Sequence, residues 1–333
     1  MAFKVVQTVP HYIGDEEECR KIGAELSIIP CKTEDELIAA TQDADAILAF
    51  WITGKAISKL RKCKLIHCTG TGYDGIDVKA ATDYGICVSF GGDYCSEEVA
   101  EHTMALIVAC ARQLVRLDRQ IREGKWTITT QAEKRKRLPP MFRIKGQTLG
   151  IIGLGRTGRL VVPKAKGFGL KVIAFDPCLP ADVFKESGVE SVTLDHLLRE
   201  ADFISVNAAL TQESQHLLGI EEFKKMKPTA YFVNCARASI ADEEALYTAL
   251  THGYIAGAGL DVIEGGSFTL DHPFLKLENV ILTPHSAFFS EYAVSEIKRR
   301  AYEQIGQIFR GEWPTWLVNP EVKEKFLERW GKA

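Results

Sequence analysis

The stretch Thr148–Gly158, TLGIIGLGRTG, constrains this chain more than any other. Leu149, Gly150, Ile151 and Ile152 form a short apolar run bounded by glycine, the pattern of a buried strand in a parallel sheet. Gly153, Gly155 and Gly158 follow in G-x-G-x-x-G spacing. Gly153 permits the tight strand-to-helix turn, Gly155 lets a pyrophosphate approach the backbone, and Gly158 lets the helix pack close to the strand. Backbone N–H groups at the helix start, around Arg156 and Thr157, then face the phosphates. A glycine-rich turn alone is as often a plain loop. Here a helical segment from Arg156 to Gly167 and a second strand, Lys171–Phe175, complete a βαβ unit, and that strand ends in Asp176. A carboxylate about 20 residues past the glycines accepts hydrogen bonds from an adenosine ribose and repels a 2′-phosphate. The unit therefore predicts dinucleotide binding, with NAD favoured over NADP. Pro163 is expected to kink the helix, because it removes one helix hydrogen bond.

A chain of 333 residues is long enough for two domains with their own cores. A net charge of −3 gives no electrostatic reason to expect nucleic acid. No apolar run approaches the roughly 20 residues of a membrane span. The N-terminus, Met1–Val6, leads directly into a strand without a signal-peptide pattern. Nine cysteines are scattered without a C-x-x-C pair, and Cys68, Cys87 and Cys110 sit inside apolar runs. That usage predicts reduced thiols in a cytoplasmic protein with no metal site.

Residues 1–97 alternate strand and helix. Strands are expected at Phe3–Val9, Leu26–Ile29, Ala46–Phe50, Leu65–Cys68 and Ile86–Val88. Thr33 and Glu36 stand in capping-box spacing. Such alternation implies a parallel sheet with crossover helices. The loop Thr69–Asp77, TGTGYDGID, exposes backbone N–H groups after a strand, where a carboxylate could be held. Ser96–Glu123 reads as one long helix with an apolar stripe. The run Lys134–Arg137 reads as a solvated loop, or as steering for an anionic substrate. After the glycine loop, four strands end in polar residues: Asn207, Asn234, Asp261 and Thr283-Pro284-His285. Their carboxyl edge is where a nicotinamide and its substrate would lie. A helix follows over Ser290–Arg310, and a short amphipathic piece over Glu321–Trp330.

Hydride transfer to a 2-oxo acid needs a cation for the carboxylate and an acid for the new alkoxide. Arg237 suits the first role, because guanidinium grips carboxylate in a bidentate fork and keeps its charge. His285 suits the second, because imidazole titrates near working pH. Either residue taken alone is more often a surface ion pair or a structural histidine. Placement at the strand ends beside the cofactor unit reverses those odds.

The stretches GTGYDGIDVKAATDYGI, EVAEHTMALIV, GIIGLGRTG, FVNCARASIADEEAL, GLDV and ILTPHSA resemble the D-isomer-specific 2-hydroxyacid dehydrogenase family nearly end to end. TPHSAFFSEYAVSEI is also similar to its C-terminal-binding-protein branch of NAD-binding corepressors. The resemblance implies two doubly wound α/β domains: a Rossmann NAD-binding domain over 98–289, and a discontinuous flavodoxin-like substrate domain over 1–97 and 290–333. It implies homodimers acting on a small anionic 2-oxo or 2-hydroxy acid. Arg237 would bind the substrate carboxylate, His285 would be the acid/base, and Asp261 would hold the nicotinamide carboxamide. Gly70, Thr71 and Gly72 would meet the substrate through backbone. Asn207, Cys235 and Ala236 would line the cofactor.

The chain also departs from the family pattern. The carboxylate that supports the histidine usually lies five residues after the GLDV-type aspartate, and Gly266 stands there. Glu264, three residues after it, is a doubtful substitute that could swing in through Gly265-Gly266. Without an anionic partner His285 should be less basic, shifting the pH optimum down. Ala238 replaces a glycine and is expected to crowd the site or turn the loop. Thr71 stands where phosphite-oxidising relatives carry lysine, which argues against phosphite. The leading reading is an NAD-dependent oxidoreductase working as a 2-oxo-acid reductase. The alternatives are a non-enzymatic NAD(H)-sensing, protein-binding module, and a formate-dehydrogenase-like reaction that needs no proton transfer.

Overall fold

A computed structural model of the chain describes residues 2–10, 13–125, 130–133, 138–267 and 269–331. The chain divides into two compact units, Met1–Cys95 with Phe289–Ala333, and Ser96–Phe288. The basic run Lys134–Arg137 lies outside the described residues.

The first unit is built on strands β1 (Phe3–Gln7), β2 (Ala24–Ile28), β3 (Ala46–Ala49), β4 (Leu65–Cys68) and β5 (Cys87–Ser89). All pair in parallel, in the order β2-β1-β3-β4-β5. That order is flavodoxin-like. Every residue of β3 (AILA) and β4 (LIHC) is buried, as strands covered on both faces require. The expected capping box is present: Glu36 N–H donates to Thr33 Oγ1 at 3.3 Å, and Thr33 N–H donates to Glu36 Oε2 at 3.2 Å.

Two later segments complete this unit. Helix Glu291–Arg310 is capped by Ser290 and stopped by Gly311 at φ 83°. It buries Ala293, Ile297, Ala301, Ile305 and Ile308, one stripe at helical spacing. Asn319 then ties the tail to the sheet. Its Oδ1 accepts from Val88 N–H at 2.8 Å and its Nδ2 donates to Ile86 O at 3.1 Å. The tail is a 3₁₀ turn, Pro320–Val322, followed by the helix Lys323–Trp330, which buries Phe326. His67 on β4 is fully buried, with Nδ1 2.8 Å from Ser89 Oγ. Burial pushes its pKa down to about 3, so the core holds a neutral imidazole.

The second unit carries β6 (Thr148–Ile152), β7 (Lys171–Phe175), β8 (Glu190–Ser191), β9 (Phe203–Val206), β10 (Tyr231–Asn234), β11 (Gly257–Leu260) and β12 (Val280–Leu282). The parallel order is β12-β11-β10-β9-β6-β7-β8. This is the doubly wound dinucleotide-binding order extended by one strand. Strand order reverses at β6 beside β9, where such sheets open a crevice for ligands. Apolar clusters cover both faces, one around Leu197, Phe223 and Phe232, the other around Ile107, Leu149 and Val161.

One helical expectation is corrected. The segment Ser96–Glu123 is two helices, Ser96–Ala111 and Leu114–Arg122. Gln113 breaks it in the left-handed region at φ 54°, held by Nε2 bonds to Tyr231 Oη at 2.8 Å and Cys110 O at 3.1 Å. An apolar stripe cannot reveal that tether. The helix that contains Pro163 runs continuously from Arg156 to Gly167.

Candidate active site

The glycine loop takes its shape from contacts that only hydrogen satisfies. Gly153 has φ +90°, and a Cβ there would lie 2.5 Å from Ala208 N. A Cβ on Gly158 would lie 2.3 Å from Gly153 O. Nothing lies within 4 Å of a Cβ on Gly155, so the middle glycine faces open space. Gly155 caps the helix without a side-chain bond, and first-turn N–H groups of a helix have no intrahelical acceptors.

Asp176 faces back toward this loop. Its Oδ2 accepts from Leu154 N–H at 2.9 Å and its Oδ1 from Cys178 N–H at 3.0 Å. A carboxylate has about four acceptor positions, so two bonds leave capacity for ribose hydroxyls. Asn207 follows β9, and its Nδ2 donates to Ser205 Oγ at 2.8 Å. Asn207 Oδ1 is buried with no hydrogen-bond partner among the described residues. Open space over Gly155, a ribose-competent carboxylate and this orphaned acceptor fit a bound dinucleotide.

The loop after β10 is stapled by buried Asn234. Asn234 Nδ2 donates to Arg237 O, and Ala236 N–H donates to Asn234 Oδ1, both at 2.9 Å. The staple uses backbone of Ala236 and Arg237, so the guanidinium takes no part in it. Arg237 is half-buried, and its Nη1 donates to Ala236 O at 3.0 Å. Ala238 opens a 3₁₀ turn, Ala238–Ile240, and is not among the positive-φ residues. Its methyl therefore costs the loop no backbone strain. Cys235 is buried, and burial pushes its thiol up to about 12, which makes it packing rather than nucleophile.

Asp261 organises the turn that carries His285. It is 1% exposed. Its Oδ1 accepts from Thr283 Oγ1 at 2.6 Å and Ser286 N–H at 2.9 Å, and its Oδ2 from Ala287 N–H at 2.9 Å. His285 N–H donates to Asp261 O at 2.9 Å. Held this way, His285 adopts φ 52°, costly for a side-chain-bearing residue, and stays exposed with its ring edge-on to Phe288 at 6.2 Å.

Sequence reasoning missed His102 as a partner here. Its Nε2 is 3.0 Å from Thr283 Oγ1 and 3.7 Å from Asp261 Oδ1. His102 lies in the quoted stretch EVAEHTMALIV, but nothing local indicates a neighbour so far along the chain.

Glu264 is engaged by other neighbours. Its Oε1 lies 3.2 Å from His216 Nε2, and its N–H donates to Glu243 Oε2 at 2.8 Å. Gly266 has φ +73°, which disfavours any side chain there.

The structure thus brings Gly153, Gly155, Gly158, Asp176, Asn207, Asn234, Asp261 and His285 to the carboxyl-edge loops of one sheet. Gly70, Thr71 and Gly72 belong to the first unit, in the loop after β4. Gly91 N–H donates to Gly70 O at 3.0 Å, and Cys68 Sγ donates to Gly72 O at 3.1 Å. Thr71 Oγ1 lies 3.4 Å from Cys95 Sγ.

The chain is similar to known proteins over most of its length. Residues 104–287 match the family model described as D-isomer specific 2-hydroxyacid dehydrogenase, NAD binding domain. A glyoxylate reductase of Korarchaeum cryptofilum is 40% identical over 292 residues, 86% of each chain. A D-3-phosphoglycerate dehydrogenase of Methanocaldococcus jannaschii is 38% identical over 329 residues, 97% of this chain and 61% of that protein. The crystal structure of an Aquifex aeolicus D-lactate dehydrogenase, complexed with NAD and lactic acid, superposes with a TM-score of 0.80. It shares 29% identity and covers 93% of this chain and 96% of that one. The chain belongs to the D-isomer-specific 2-hydroxyacid dehydrogenase family and is an NAD-dependent oxidoreductase acting on CH–OH donors.

Proposed function

We propose that the chain reduces a small 2-oxo acid to the 2-hydroxy acid, with Arg237 as carboxylate clamp and His285 as acid. The observation that carries this reading is the pair of stapled loops. Asn234 orders the Arg237 loop and Asp261 orders the His285 turn, both at the edge where the glycine loop opens. When bound, NADH supplies the hydride. Arg237 holds the substrate carboxylate through a bidentate fork and draws charge toward the C2 oxygen. The imidazolium of His285 passes its proton to that oxygen, so C2 gains hydride and O2 gains the proton. Backbone N–H groups of Gly70, Thr71 and Gly72 add hydrogen bonds to the carboxylate. Asp176 holds the ribose and favours NADH over its 2′-phosphate analogue. The relatives named glyoxylate reductase favour the reductive direction.

The test is NADH oxidation by purified protein with glyoxylate, pyruvate, hydroxypyruvate, branched and aromatic 2-oxo acids, and a formate-plus-NAD control. Turnover is expected on at least one oxo acid, with His285→Ala lowering kcat by about 10²–10⁴-fold. NADH binding with no turnover on any of them would instead favour the sensor reading.

We also propose a homodimer. Helix Leu114–Arg122 buries none of its own residues, and Leu114 and Ile121 are 53% and 56% exposed. Leu114 and Ile121, seven residues apart, share one face of this helix, and an exposed apolar face favours a protein interface. Light scattering that returned a monomer mass would remove the dimer. The nine free thiols fit a reducing, cytoplasmic location, which subcellular fractionation would check. Among the described residues no helix is long and apolar enough to cross a membrane.

A further inference from the structure

Resting on the oxo-acid reading above, we infer that His102 is a positioning residue for the proton donor. It donates from Nε2 to the Thr283 hydroxyl and so fixes, through Asp261, the turn that carries His285. All four residues belong to one compact unit. Helix Ser96–Ala111 packs across β10, β11 and β12. Its approach to β11 needs a glycine, because a Cβ on Gly259 would lie 3.0 Å from Leu106 Cβ and 3.5 Å from Cys110 Sγ. His102 stands four residues before Leu106, on the same helix face and one turn away. One helical turn is about 5.4 Å and two strand residues about 6.6 Å. A side chain one turn from the Leu106–Gly259 contact therefore meets Asp261, two residues beyond Gly259.

The direction of the contact follows from a single proton. Thr283 Oγ1 lies 2.6 Å from Asp261 Oδ1 and 3.0 Å from His102 Nε2. A carboxylate oxygen only accepts, and two oxygens this close repel unless a hydrogen lies between them. The hydroxyl proton is therefore spent on Asp261, and a lone pair of Oγ1 faces His102. Nε2 must then carry a hydrogen, as in the Nε2–H tautomer or the imidazolium. The Nδ1–H tautomer would set two lone pairs against each other. The result is a one-way chain from His102 to Thr283 to Asp261, whose bonds strengthen one another toward the charged end. The Asp261 side chain has 0% exposure, so protein donors alone orient it. Its carboxylate also takes the amides of Ser286 and Ala287, the two residues after His285. His285, at φ 52°, donates its own N–H to the Asp261 carbonyl. Holding the carboxylate in one orientation thus holds the histidine that delivers the proton. The Arg237 loop rests on Asn234 instead and stands outside this chain.

The test uses the full chain in three measurements: NADH oxidation with the best 2-oxo acid, NADH fluorescence titration, and nitrogen NMR of ring-labelled histidines without cofactor. His102→Leu removes the donor, His102→Gln keeps an N–H near the Nε2 position, and Thr283→Val removes the relay hydroxyl at nearly constant shape. Thermal melts establish which variants fold, and Thr283→Val with the wild-type spectrum decides should leucine fail. His102→Leu is expected to lower kcat by about 10- to 100-fold while KM and the NADH Kd stay within about threefold, the split expected of a misplaced proton donor. His102→Gln should recover at least about a third of the wild-type kcat, because its amide can donate to the same oxygen. His102→Leu added to Thr283→Val should cost no more than about twofold further, because both act on one chain. The resonance that His102→Gln removes should be that of a protonated Nε2. A bare Nε2 there reverses the donor direction and overturns the inference, whether or not any substrate is turned over. Wild-type kcat in folded His102→Leu, losses that multiply in the double variant, or a glutamine variant as slow as leucine would each overturn it and leave the reductase reading standing. Absence of turnover by the wild type on every oxo acid defeats the reductase reading itself, and the positioning role with it.

Discussion

Arg237→Ala is expected to abolish turnover while sparing both fold and cofactor binding. The loop that carries Arg237 is ordered by Asn234, which grips the Arg237 carbonyl and the Ala236 amide. Both contacts survive truncation of the side chain, so the melting temperature should move by no more than about 2 °C. What disappears is the only guanidinium placed on this loop. A fork of two charge-assisted bonds to a carboxylate, strengthened as charge builds on the carbonyl oxygen, supports a loss of roughly 10³-fold or more in kcat/KM. Arg237→Lys should recover a small part, because an ammonium restores charge without the planar fork. Steady-state kinetics beside an NADH fluorescence titration would check this. Turnover near wild type in the alanine variant would remove Arg237 from the mechanism.

Asp261→Ala is expected to cost stability as well as activity. The carboxylate is buried and satisfies the Thr283 hydroxyl and the Ser286 and Ala287 amides. Removing it leaves three donors around a closed site without their acceptor, each worth about 1–3 kcal/mol. It also releases the turn that holds His285 at φ 52°, a conformation that persists only when its surroundings enforce it. A total of roughly 4 kcal/mol corresponds to a drop on the order of 10 °C in the melting temperature of a unit this size. Asp261→Asn should fall between wild type and alanine. Its amide accepts through one atom only and turns an NH₂ toward a donor. Calorimetry on the two variants would decide, and an unchanged melt in Asp261→Ala would show that the turn is held by other means.

Most of this fold was legible from residue order. Unbroken apolar runs ended by glycine or a polar residue predict buried parallel strands, and β4, β6, β7 and β12 lie within a residue of where those runs place them. The glycine loop was legible for a related reason: turn, close approach and helix packing are demands on consecutive residues. The carboxyl-edge residues Asn207, Asn234, Asp261 and His285 followed from strand ends alone, because a parallel sheet brings all such ends to one side.

What residue order could not convey is which polar groups satisfy one another across long separations. Gln113 breaks a helix that its own periodicity supports, because Tyr231 captures its side chain. Glu264 looks available as a carboxylate until His216, 48 residues earlier, is seen at 3.2 Å. His102 joins Thr283 and Asp261 only once helix Ser96–Ala111 packs beside β11 and β12. Periodicity and turn chemistry act over a few residues, so the amino-acid order alone decides the strands, most of the helices and the glycine loop. Desolvation penalises any buried donor or acceptor left alone, and the pairing that avoids it exists only in three dimensions. Hence the tertiary structure decided which carboxylate holds the His285 turn and which is spent elsewhere.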